Sequence, residues 1–262
     1  MPPRPITLLP AALLVLAGAT ACDDPAPTAA PPTSAAPPAA GDSLGARAGL
    51  AARAALAQDK AYAALYSLDD GAGRPRDVVA TIGADGTWRV DISGGALGGT
   101  ADVSIVSTAA GVFQCTVATV HNPITPICVR VAKAGKRVPR KYDPKIQRLF
   151  RSALAVFTDR QSALSVTEVE PLSGAAGTCY SVDSISASLD APVDIGIYCY
   201  ADDGVLTGAR VGFGVLKMVS QVPGPPTVPL PGAEVAGAPM GTASPPPPPV
   251  IEPSSLVSPA IG

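Results

Sequence analysis

Apolar and polar residues alternate with a period of two through most of the middle of the chain, the spacing of half-buried strands. The alternation predicts strands over Ala61–Leu68, Asp77–Ile82, Thr87–Ile92, Asp102–Thr108, Val112–Val120 and Ile127–Val131. A second series follows over Ser165–Glu170, Thr178–Ile185, Ile195–Ala201, Val205–Val211 and Phe213–Val222. Ala84-Asp85-Gly86, Ala109-Ala110-Gly111 and Asp202-Asp203-Gly204 fall between consecutive strands, where glycine supplies the positive φ of a hairpin turn.

Two segments break the alternation. Ser43 to Gln58 is rich in alanine, with Ser43 placed as its N-cap, and predicts a helix. Asp143-Pro144 is a second helix start signal. Ile146, Leu149, Phe150, Ala153, Leu154 and Phe157 then follow at the spacing of one continuous helix face, expected to turn toward a cavity or the core. About eleven strands with two helices, and no strand–helix alternation, predict an α+β domain. Its antiparallel sheet should curve into an open half-barrel with both helices on its inner face. Two helices cover so many strands poorly, and Ala, Val and Gly dominate the strands, so the curve is expected to leave a hollow.

Composition sets the boundaries. Of the 30 prolines, six lie between Ala21 and Gly41 and thirteen between Pro223 and Gly262, while all eleven aromatics fall from Tyr62 to Phe213. A Pro-rich chain without aromatics buries too little apolar surface to offset its ordering entropy. The division expected is a signal segment over 1–21, a disordered linker over 22–42, one domain over 43–222 and a disordered Pro-rich tail over 223–262.

The N-terminus has the layout of an export signal. Arg4 precedes the apolar stretch Ile6–Leu16, which is too short to span a bilayer as a helix, and small residues lead to Cys22. Ala19-Thr20-Ala21 is a site for ordinary signal peptidase. Leu16 to Cys22 also resembles the lipobox of bacterial lipoproteins, with Ala19 standing where Leu or Val is usual. Cysteine arithmetic favours the lipobox: Cys22 alone sits at the processing site, and Cys115, Cys128, Cys179 and Cys199 sit in the aromatic-bearing domain. Strand adjacency assigns 115–128 and 179–199; the other two pairings stay open. The spacings match no zinc pattern.

Net charge is −2, which gives no global argument for nucleic acid. Locally, Arg130 to Arg151 carries nine basic residues against the single acid Asp143. Arg130, Lys133, Lys136, Arg137, Arg140 and Lys141 could meet anionic lipid headgroups or an envelope protein, although such clusters are most often a solvated face. No enzyme motif stands out. His121, the single histidine, lies in an Asn-Pro loop with no G-x-S-x-G nucleophile to serve, and Asp69-Asp70 and Asp202-Asp203 precede glycine as turn residues do. Gly94-Gly95-Ala96-Leu97-Gly98-Gly99-Thr100 lacks the lysine of a phosphate loop and reads as a flexible connection. Neither metal nor cofactor is expected.

A lipoprotein signal, a spacer, a helix, strands including Asp85-Gly86-Thr87-Trp88-Arg89-Val90-Asp91, and a paired-cysteine second half resemble actinobacterial LolA-like lipoproteins. That group includes the LppX/LprG type, and the regulator RseB has a related fold. The resemblance implies a curved antiparallel sheet wrapping helices around an apolar cavity for acyl chains, over about Ser43 to Val222. The expected function is an extracytoplasmic, non-enzymatic lipoprotein on the outer face of the membrane, carrying or sensing a lipid. The alternatives are an envelope lipoprotein that grips a protein partner without a lipid ligand, and a simply secreted protein. Labelled palmitate should enter the wild-type protein and not Cys22→Ser, which should accumulate in the medium. Equal release of the two forms would identify ordinary secretion.

Overall fold

The computed structural model describes residues 40–120, 123–185 and 193–245. Residues 1–21, expected to form a signal segment, together with Cys22 and His121, lie outside the described residues. Helix α1 runs over Ala40–Asp59. Strands β1 (Tyr62–Asp69), β2 (Arg76–Ile82), β3 (Trp88–Ala96), β4 (Ala101–Thr108), β5 (Gly111–Thr116) and β6 (Ile127–Ala132) follow. After a connection containing helix α2 (Ser152–Thr158) come β7 (Leu164–Val169), β8 (Thr178–Ser184), β9 (Gly196–Tyr200), β10 (Leu206–Val211), β11 (Gly214–Pro223) and the two-residue β12 (Ala233–Glu234). All twelve form one open sheet in the order β12-β6-β5-β4-β3-β2-β1-β11-β10-β9-β8-β7. Only the β12–β6 pair is parallel.

The period-two pattern gives the sheet two different faces. On the inner face, Tyr62, Ala64, Tyr66 and Leu68 of β1 alternate with half-buried neighbours and join a continuous core with Leu50 and Ala54 of α1 and Leu154 and Phe157 of α2. On the outer face, Val106 and Phe113 surround Cys115–Cys128, and Leu172 lies against Cys179–Cys199. Each disulfide joins directly opposed residues of neighbouring strands, as strand adjacency predicted. Gly49 lets α1 approach closely: a Cβ there would stand 2.8 Å from the Tyr180 hydroxyl.

Three expectations are corrected. Helix α1 begins at Ala40, so Ser43 lies inside it and is not its N-cap, and the boundary expected at residue 42 falls within the helix. The predicted single helix from Asp143 is broken in two, a 3₁₀ segment over Ile146–Phe150 and then α2. Lys145 takes a left-handed φ of 70°, so Pro144 is not a first helical residue, and Arg151 at φ −138° interrupts the turns. Arg151 instead donates to Gln58 O at the C-terminal end of α1.

The third correction concerns the tail. Residues 223–245 are not a loose end but a strap along the sheet. Ala84 and Asp85 donate their N–H groups to Pro225 and Pro226, Val228 N–H donates to Thr87 Oγ1, and Leu230 packs on the outer Phe113 cluster. The chain then pairs as β12 with the β6 edge. At Gly232 a Cβ would stand 1.9 Å from Pro126 O, so a side chain there would collide with the backbone. Beyond the edge, the buried Gln114 amide of β5 holds both backbone groups of Met240, accepting its N–H at 2.6 Å and donating to its carbonyl at 2.9 Å. Leu97 and Gly98 donate to Gly241 and Thr242, so the glycine-rich connection is pinned rather than free.

Tyrosines fill the centre of the inner face. Tyr66 donates to Leu206 O and packs on Phe150, while Tyr198 packs edge-on against Phe157. Burial pushes the Tyr62 phenol up to about 12 and holds Tyr66, Tyr198 and Tyr200 well above the ordinary tyrosine range. A phenol that resists ionisation in the folded state contributes stability below its unfolded value, and that stability is lost as pH rises toward the folded one. Stability should therefore fall steeply from about pH 10 to 12, by up to ~1.4 kcal/mol per unit for each tyrosine that ionises only on unfolding. Phenolate absorbance from these residues should rise together with loss of the far-ultraviolet strand signal; ionisation that precedes unfolding would contradict their burial.

Candidate functional site

β6 and β7 sit on opposite sides of the sheet order, so the connection between them has to cross the open side of the curve. That connection, residues 133–163, carries most of the basic tract and both pieces of the broken helix. Its crossing leaves a half-open cleft of about 790 Å³ between itself, β3, β5 and residues 193–195. The size is in the range of small-molecule sites.

The cleft's apolar wall is made by Trp88, Val112, Val138, Leu149, Ala153 and Val193. Its other wall is lined by Lys136, Arg137, Arg140, Lys145 and Arg148, with the carboxylates of Asp143 and Asp194. Four of the five cations, Lys136, Arg137, Arg140 and Lys145, are exposed.

Asp143 organises this wall from beneath. Its side chain is only 2 % exposed, which would be costly for an unpaired carboxylate. Oδ1 accepts the Lys145 N–H at 2.8 Å and the Gln147 amide at 2.6 Å, and Oδ2 accepts both Nε and Nη2 of Arg148. The bond to the N–H two residues on is an Asx turn, so Asp143 bends the chain rather than capping a helix. Arg148 also lies 3.9 Å from Asp194, whose carbonyl accepts the Tyr198 hydroxyl. The two sides of the cleft are thereby tied together through one guanidinium.

The predicted basic residues do not act as one face. Lys136, Arg137 and Arg140 line the cleft. Arg130 is engaged on the outer face, paired with Glu234 of the strap, bonded to Ala110 O and stacked over Phe113. Lys133 is exposed in the turn after β6, and Lys141 lies over the Tyr142 ring while its carbonyl holds Thr242. Sequence reasoning did not single out Lys145 and Arg148 as site residues, or Asp143 as their organiser. Their signal was the solitary acid within a basic run, which marks a charge that the fold uses internally.

The predicted helix face goes to the core. Ile146, Leu149, Phe150, Leu154 and Phe157 are all buried in the central cluster, with Leu149 alone of the five also lining the cleft. Ile146 borders a second, more open groove of about 550 Å³, bounded by Arg74, Arg76 and the glycines of the 94–99 connection, on the other side of the 143–145 ridge. The acidic pairs are turn residues: Asp69, Asp70 and Asp203 each accept an N–H two residues ahead, and Asp202 pairs with Arg53.

Among the described residues, no group of three or more His, Cys, Asp or Glu side chains is placed to hold a metal ion. None of the described helices is long and apolar enough to cross a membrane. The two disulfides fit an extracytoplasmic, oxidising location. No protein-family model matches the chain, and no curated protein matches it.

Asp143→Ala should remove four hydrogen bonds and leave Arg148 without its main partner. A loss of about 2 kcal/mol in the denaturant midpoint analysis is expected, the scale of a bond to a charged group. Asp143→Asn should recover part of it, because its amide oxygen still accepts. Equal stability of wild type and Asp143→Ala would contradict the organising role.

Proposed function

We propose that the protein is an exported, non-enzymatic binding module for an amphiphile with an anionic head, tethered to the membrane through lipid on Cys22. The observation that carries the ligand class is the cleft's division into an apolar wall and a wall on which Lys136 and Lys145 stand exposed. An acyl chain gains from the first by leaving water, and an acidic head gains from the second inside a partly enclosed space where charge is less screened. The tether follows from the apolar stretch and small residues before Cys22 and from the Pro-rich spacer after it. Likeness to LolA-like carriers points the same way, toward a curved sheet with a site for acyl chains.

The central inner face supports a limited site rather than a large one. Tyrosines, Phe150, Phe157 and α1 occupy the middle of the curve, so the space for a ligand is the cleft beside them. One chain with its head fits such a volume more readily than a multiply acylated lipid.

Full-length protein carrying Cys22→Ser, secreted or extracted, should bind a fluorescent fatty acid or dodecyl phosphate with micromolar affinity. Val138→Asp should weaken both probes about tenfold or more by placing a charge in the apolar wall. Lys136→Glu should weaken dodecyl phosphate more than dodecanol. A folded protein indifferent to every acyl probe would leave the partner-gripping alternative in its place.

A further inference from the structure

The strap passes from one face of the sheet to the other along its length. Leu230 packs on the outer cluster that includes Phe113, whereas Met240 packs against the inner core and is bonded by Gln114. Phe113 and Gln114 are consecutive in β5 and point to opposite faces. Between the two contacts the chain rounds the β6 edge, pairing as β12 and donating Val235 N–H to Cys128 O.

The two halves of the strap are held by different means. The part on the outer face and the edge has a buried side chain, Val228, as well as the β12 pairing. Met240, Gly241 and Thr242 are only half-buried, and their hydrogen bonds run to three separate elements. Gln114 of β5 holds both backbone groups of Met240, and Leu97 and Gly98 of the β3–β4 connection donate to Gly241 and Thr242. Thr242 N–H in turn donates to Lys141 O at 3.0 Å.

Lys141 ends a limb, residues 133–141, that supplies Lys136, Arg137, Val138, Pro139 and Arg140 to the cleft. Both ends of the limb are fixed, by β6 pairing up to Ala132 and by the hydrogen bonds of Asp143. From Lys133 to Lys141, Val138 is the single buried residue. A segment with so few buried apolar contacts opens at a lower cost than the domain unfolds.

We infer that the limb is a lid on the cleft and that Met240–Thr242 is its latch. Gln114 acts as a positioning residue, since fixing Met240 places the Thr242 N–H, two residues on, at the Lys141 carbonyl. A latch made of hydrogen bonds at half-buried positions is open to competition by water, so it can release without disturbing the core. Release widens the way to the apolar wall. That purpose rests on the amphiphile-binding reading, whereas opening of the limb can be measured with no ligand present.

The test uses the full-length chain carrying Cys22→Ser and site-resolved hydrogen exchange. The Leu97 and Gly98 amides report the latch; the Lys136 and Tyr142 amides, which donate to Lys133 O and Pro139 O, report the limb. Gln114→Leu deletes both bonds to Met240. Thr242→Pro deletes the donor to Lys141 outside the core, and serves alone if Gln114→Leu does not fold. Each should speed exchange at Lys136 and Tyr142 about tenfold or more, while the amides of β1 keep their protection. Faster exchange at Leu97 and Gly98 with none at Lys136 and Tyr142 overturns the latch, and so does an equal loss of protection in β1. Uptake of dodecyl phosphate is followed by stopped-flow fluorescence of Trp88, the chain's single tryptophan and a residue of the cleft wall. Both variants should take up the probe severalfold faster than Cys22→Ser alone; equal rates overturn the lid. A Trp88 signal that no acyl probe changes would sink the ligand proposal alone, with hydrogen exchange still deciding the latch.

Discussion

The pairing of β1 with β11 is the constraint on which the rest of the molecule depends. Apart from the strap's β12, all other strand pairs join neighbours in sequence, so without this contact the chain would be two separate meanders, β1–β6 and β7–β11. Eight residues of β1 match β11 from Tyr62 opposite Pro223 to Asp69 opposite Val215, with a bulge at Leu65/Tyr66. Closing that contact brings residues far apart in sequence together, an entropic cost that must be met by what it buries. β1 supplies much of this burial: Tyr62, Ala64, Tyr66 and Leu68 all face the core. Joining the meanders also sets β6 and β7 far apart, which forces residues 133–163 across the opening. The site is thus a consequence of topology, since the chain can only complete the sheet by bridging its own concave side.

The inner and outer faces are held by different means. Inside, one large cluster of helix and strand residues provides apolar burial, and each fully buried large side chain there contributes ~1.5–3 kcal/mol relative to exposure. Outside, the buried clusters are small, four residues including Cys115 and Cys128 and three including Cys179 and Cys199. Each disulfide closes a loop of a size worth ~3 kcal/mol in the chain-entropy model. Their placement within the two meanders, one in each, strengthens hairpins that have little apolar cover on that side. The strap adds Leu230 to the first cluster and blocks the β6 edge, which would otherwise present unpaired backbone groups.

How legible this was in the sequence depended on whether a signal was periodic. Most strands of the two meanders, β1 most plainly, follow the alternation of apolar and polar residues, while β5, β9 and β10 are buried on consecutive residues, and the disulfide pairs follow from which strands are neighbours. The strap has no such period. Pro225, Pro226, Gly232 and Gly237 resemble a disordered tail in composition, yet order there comes from backbone groups that meet Thr87, Cys128 and Gln114 across the sheet. No local pattern announces partners more than a hundred residues away. The broken helix failed differently: Ile146 to Phe157 has helical spacing, but its apolar residues had to meet a curved core, and Asp143 bonded to Arg148 and Gln147 instead of starting a regular turn. Spacing reports which residues face inward and not whether one axis can carry them all.

The cleft separates two uses of charge that the sequence shows only as one basic run. Arg148 and Asp143 satisfy each other where exposure is low, and their geometry sets the shape of the wall. A planar guanidinium suits that role because two of its donors can meet one carboxylate at once. Lys136 and Lys145 stand exposed on the rim, where a mobile ammonium can follow an anion of varied shape. If the internal pair were a lysine, the single point charge would fix the ridge at 143–145 less firmly, and if the rim were all arginine, selectivity for planar oxyanions would rise. Stiffness below and adaptability above would suit the proposed anionic ligand. The same division explains why one acid among nine basic residues matters: it holds Arg148 and the 143–145 turn in place beneath the exposed lysines.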